Sequence, residues 1–134
     1  MKKIAVLLTF MIALLSLVSV SAEDKGAPAI TFAEKSWNFG NIPERGGQVS
    51  HTFTFTNTGT APLVILEARS SCGCTKPTFT ARPIEPGQKG EISVSFAPRG
   101  NSGEFTKSVN VKTNDPKNKK IVLHIKGVVI PSEK

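Results

Sequence analysis

Tyrosine is absent from this chain of 134 residues; cysteine and histidine occur twice each and tryptophan once. Each scarcity excludes something. Without tyrosine there is no tyrosine corner of the kind found in true immunoglobulin domains. Two cysteines are too few for a disulfide-dense scaffold or a four-cysteine zinc site. Zinc held by that pair would need two further ligands, and the only imidazoles are His51 and His124. No phosphate-binding glycine loop, nucleophile elbow or His-Glu-x-x-His motif occurs, so no catalytic residue, metal ligand or cofactor is assigned. Glu34, Glu44, Glu67, Glu85, Glu91 and Glu104 are scattered, and a hydrolase would need two of them facing each other in a cleft. The Asn-x-Ser/Thr acceptor of N-glycosylation is also missing.

Long apolar runs are scarce too, with one exception. Lys2 and Lys3 precede an apolar stretch from Ile4 to Val20, broken only by Thr9, Ser16 and Ser19 and followed by Ser21 and Ala22. This is the three-part pattern of a secretory signal peptide over residues 1–22, with cleavage expected after Ala22. The stretch falls short of the ~20 residues that span a bilayer, and the chain turns polar at Glu23. Membrane contact is therefore expected only through this segment before cleavage. The mature chain, residues 23–134, loses two lysines and carries a net charge of +5 instead of +7. Its expected location is periplasmic or extracellular, where disulfides are permitted.

What remains reads as one small all-β domain. Val49, His51, Phe53 and Phe55 share one side of a strand, with Ser50, Thr52, Thr54 and Thr56 on the other. Ile92, Val94 and Phe96 alternate with Glu91, Ser93 and Ser95, and Phe105, Val109 and Val111 with polar neighbours. Lys107 interrupts that last inner face, so an edge position or a bulge is expected there. Leu63–Leu66 and Ile121–Ile130 are apolar on both faces and are expected as central strands, with Gly127 marking a bulge. Shorter strands are expected near Ala29–Phe32 and Trp37–Phe39. Turn chemistry separates the runs at Gly46-Gly47, Asn57-Thr58-Gly59, Pro86-Gly87, Arg99-Gly100-Asn101 and Asn114-Asp115-Pro116. About seven strands with this spacing predict an immunoglobulin-like antiparallel β-sandwich over residues 23–134, frayed at 23–28 and 131–134. A true immunoglobulin domain is excluded, because the cysteines are not widely spaced and Trp37 comes early.

The chemically distinctive segment is Ser71-Cys72-Gly73-Cys74-Thr75-Lys76-Pro77. In a regular strand the two cysteines would lie on one face with Cα atoms about 6.6 Å apart, near the upper limit for a disulfide. A turn at Gly73 would shorten the gap. Three readings stand: a structural thiol or disulfide pair, a redox site whose thiolate Arg69 and Lys76 would favour, and capture of a soft ion such as Cu(I). The basic excess is densest at Lys117, Lys119 and Lys120. It suits either an anionic partner or a solvated turn that discourages edge pairing. The expected partners are an envelope protein or an anionic surface polymer. Nucleic acid is not expected, since basic and aromatic residues do not interleave.

Several segments together carry a resemblance: Trp37-Asn38-Phe39-Gly40, Phe53-Thr54-Phe55-Thr56-Asn57-Thr58-Gly59, Cys72-Gly73-Cys74, Pro83-Ile84-Glu85-Pro86-Gly87 and Gly103-Glu104-Phe105-Thr106-Lys107. In this order they resemble a bacterial secreted family known only as a domain of unknown function with a Cys-Gly-Cys signature. That family is in turn similar to the immunoglobulin-like sandwiches of Hydin and major sperm protein. The resemblance spans about residues 29–130 and implies a seven-strand sandwich, without implying an activity.

Overall fold

The computed structural model describes residues 26–132, so the expected leader and its cleavage after Ala22 lie outside the described residues. The chain forms β1 (Ile30–Phe32), β2 (Ser36–Pro43), β3 (Val49–Asn57), β4 (Ile65–Ser70), β5 (Thr75–Phe79), β6 (Lys89–Phe96), β7 (Gly103–Thr113) and β8 (Lys120–Ile130). Two four-stranded sheets, β1-β3-β6-β5 and β2-β8-β7-β4, make an immunoglobulin-like β-sandwich.

Period-two alternation builds it. Phe53, Phe55, Ile92, Val94 and Phe96 from the first sheet meet Val109, Val111, Leu123 and Ile125 from the second, each at most 1% exposed. The Phe96 and Phe105 rings stack across the interface with centroids 4.1 Å apart. Each such side chain contributes about 1.5–3 kcal/mol by leaving water.

Five connections cross between the sheets, β1–β2, β2–β3, β3–β4, β4–β5 and β6–β7, and two of them position the features below. On one side the chain leaves the first sheet at Ala33, whose N–H donates to the Thr54 carbonyl, and joins the second where His124 N–H donates to the Lys35 carbonyl. Because it does not reverse direction, β2 lies parallel to β8 while every other pair is antiparallel. On the other side Ser71–Cys74 carries the chain back from β4 to β5. One pole of the sandwich holds the start of β1 and the β7–β8 turn, linked by a hydrogen bond from Ile30 N–H to Asp115. The opposite pole holds the end of β8 and the β2–β3 turn, where Glu44 N–H donates to the Ile130 carbonyl.

Several details depart from the sequence pattern. Among the described residues there are eight strands, one more than the seven runs the pattern marks, and one pair is parallel. The unforeseen strand is β5, whose Pro77 is tolerated because β5 is the outer strand of its sheet. The Leu63–Leu66 run is not central. Leu63 is buried in a bridge to Ile84, while β4 is an edge strand and leaves Leu66 60% exposed. Ile121–Ile130 is central, between β2 and β7. The irregularity expected at Gly127 falls on the strand beside it: Asn38 pairs with Lys126 and Asn41 with Val128. A Cβ on Gly127 would stand 2.9 Å from the Gly40 carbonyl oxygen, so a close approach demands the glycine. At Lys107 the β7–β8 register is unbroken, but β4 pairs with β7 only as far as Ser70–Val109, which leaves Lys107 at a local edge. Within the stretch expected to fray, Ala27 is tied down: its carbonyl accepts the Thr60 N–H.

Candidate functional site

The Cys-Gly-Cys segment is the crossing between β4 and β5. Ser70 is the last residue paired to β7, opposite Val109, and Thr75 the first paired to β6, opposite Phe96. Between them the Thr75 N–H donates to the Cys72 carbonyl at 3.1 Å, closing a tight turn over Gly73 and Cys74. The Cα atoms of Cys72 and Cys74 are brought to 5.2 Å and the sulfurs to disulfide bonding distance. The turn brings the Cα atoms closer than the spacing of a regular strand. A Cβ on Gly73 would meet no heavy atom within 4 Å, so the turn faces open space.

The two cysteines differ in surroundings. Cys74 packs against the hydrophobic core, and its sulfur lies 3.7 Å from the Thr75 hydroxyl. Cys72, half-buried as Cys74 is, accepts the Cys74 N–H on its sulfur at 3.2 Å. The cations that flank the pair in sequence are solvent-exposed. Arg69 and Lys112 both contact Glu67, which draws this carboxyl below its usual range: the Lys112 hydrogen bond leads, partial burial opposes it, and the Arg69 charge assists. Such exposed pairs add little stability.

The other candidate residues do not join this site. His51 lies on the inward face of β3, its Nε2 2.5 Å from Glu34 Oε1 and its ring stacked on Trp37 at 4.0 Å. His124 is exposed on β8, opposite Ser36. Among the described residues no three His, Cys, Asp or Glu side chains are grouped as a metal centre. The glutamates are dispersed. Glu91 lies on β6 of the first sheet and Glu104 on β7 of the second, while Glu44 accepts the Gly100 N–H.

Two further nodes carry only turn signals in the sequence. Asn57 is fully buried; its side-chain oxygen accepts the Gly59 N–H at 2.9 Å, and its amide donates to the carbonyls of Ala61 and Ile84. Asp115, 1% exposed, accepts from the N–H groups of Ile30 and Lys117 and the Asn118 amide. Burial works to raise its pKa, but these hydrogen bonds outweigh it and the net direction is down. Both nodes tie loops together and are structural.

The profile of the family described as "Protein of unknown function (DUF1573)" matches residues 30–129, and the chain belongs to that family. A protein of unknown function from Porphyromonas gingivalis W83 superposes with a TM-score of 0.68 at 14% identity, over 76% of this chain and 47% of that one. PapD-like domain 7 of human CEP192 gives 0.57 at 16% identity, over 80% and 89%. The Vibrio cholerae VesB protease gives 0.61 at 14% identity, over 77% and 32%. At such identities the likeness shows the fold alone. The chain spans about half of the P. gingivalis protein and about a third of the protease. A comparison with curated proteins found no match.

Proposed function

We propose that this family member is an exported, non-enzymatic immunoglobulin-like module that acts by binding an envelope protein or an anionic surface polymer in the bacterial cell envelope. One observation carries the reading: the contrast between the two outer faces. The first sheet presents mostly hydroxyls, with Ser50, Thr52 and Thr54 on β3 opposite Ser95, Ser93 and Glu91 on β6, and adds Lys89 on β6 and Lys76 on β5. The second presents exposed Lys120, His124 and Lys126 from β8, while Lys112 on β7 is paired with Glu67 of β4. Interspersed along β8 are Val122, 37% exposed, and Ile130, 45% exposed. Cations supply attraction to a negative partner, and the apolar side chains between them supply area to bury.

The leader pattern in residues 1–22 supports export. The test is a pull-down from envelope extract with the mature chain, whose N-terminus is expected at Glu23. A partner should be retained and then lost about tenfold in a Lys120→Glu/Lys126→Glu variant. Protease treatment of the extract separates a protein partner from a polymer. No captured partner, together with detected turnover of an envelope polymer, overturns the reading.

A further inference from the structure

The crossing between β4 and β5 has four properties that a purely structural staple does not need. Its ring spans a single residue, so it constrains the unfolded chain very little. Open space lies over Gly73, and Cys72 beside it is half-buried and not packed into the core. The Cys74 N–H points at the Cys72 sulfur, a donor that stabilises a thiolate there once the bond opens. Thr75 is 4% exposed, and among the described residues its hydroxyl has the Cys74 sulfur as its hydrogen-bond partner. Each sulfur therefore has its own donor. No acid lies between Ser70 and Lys76 to oppose a negative charge.

We propose that Cys72–Cys74 is a thiol-exchange site at which Cys72 forms a reversible mixed disulfide with a cysteine thiol of another molecule. This goes beyond the binding role proposed above and does not depend on it. The incoming thiolate attacks Cys72 Sγ, forming the new S–S bond. The Cys72–Cys74 bond breaks and its electron pair passes to Cys74 Sγ, which leaves as a thiolate supported by the Thr75 hydroxyl. Attack by Cys74 on Cys72 restores the pair and expels the partner thiolate, with no net oxidation. Where the partner carries a second thiol, that thiol attacks its own half of the mixed disulfide and Cys72 leaves as a thiolate. The partner dithiol is then oxidised to a disulfide, and Cys72 and Cys74 are reduced to two thiols.

The test equilibrates the oxidised mature chain with mixtures of reduced and oxidised glutathione, or with a peptide bearing two cysteines. Samples are quenched with acid, alkylated and read by mass spectrometry. The pair is expected to open at thiol ratios that leave ordinary structural disulfides closed. Cys74→Ser, which blocks reclosure, should accumulate an adduct on Cys72, and Thr75→Val should slow exchange in the otherwise native chain about tenfold. Opening by both reagents assigns small thiols as partners, and opening by the peptide alone assigns protein thiols. The proposal is overturned if the native pair stays closed against both reagents. It is equally overturned if Cys74 in Cys72→Ser forms the adduct as fast as Cys72 does in Cys74→Ser.

Discussion

Asp115 holds three donors with one carboxylate, and its ionisation is tied to folding. Its pKa is depressed in the folded protein, so its stabilisation is complete above the unfolded carboxylate value of about 4. It is lost as pH falls through the lower folded value. Melting followed by circular dichroism should therefore show a loss of Tm below about pH 4 that is shallower in Asp115→Asn. At neutral pH Asp115→Ala should cost about 3 kcal/mol, because Ile30, Lys117 and Asn118 lose their acceptor. The turn at Asn114-Asp115-Pro116 was legible from residue type. The depth of Asp115 was not, because it depends on β1, a strand 85 residues away in sequence at Ile30. The Trp37–His51 stack escaped for the same reason: parity put His51 on an inner face, but its neighbour comes from another sheet.

The strands with one wet and one dry face were readable because their alternation is the cause of the structure. β3, β6 and the greater part of β7 follow it residue by residue. β5 was not readable, since five residues containing Pro77 carry no such pattern and the strand takes its place by pairing to β6. The direction of β2 depends on a crossing, which no local pattern encodes. Pairing also creates requirements that composition hides. Gly90 lies opposite Phe55 in the β3–β6 register, and the Phe55 ring occupies the place of a side chain there. An added methyl would press on that ring and stand 3.1 Å from Ile84 Cδ1. Gly90→Ala is expected to lower stability by about 1–3 kcal/mol, read as a shift in the urea midpoint at constant slope.

For the molecule as a whole, stability and the Cys-Gly-Cys turn are nearly separate. The chain-entropy model gives a ring this small about 1.5 kcal/mol, against about 3 kcal/mol for a 15-residue loop. The double variant Cys72→Ser/Cys74→Ser should therefore stay folded, with an unfolding free energy lower by no more than about 1.5 kcal/mol. Urea denaturation of the native chain with and without reductant should give the same difference. The spacing of the cysteines made the pair visible in sequence, and the turn that joins them was expected. The placement of the pair at a sheet crossing, with a separate donor for each sulfur, required the fold.

The parallel pairing of β2 with β8 has a mechanical consequence. These strands run side by side from Ser36 and His124 and end together near the second pole, at Pro43 and Ile130. Anything joined ahead of β1 leaves from the first pole, and anything joined after β8 leaves from the second. Tension between them drags β2 and β8 in opposite directions along their shared axis. Their hydrogen bonds then resist as a group in shear instead of unzipping singly, so a domain wired this way can bear load along a chain.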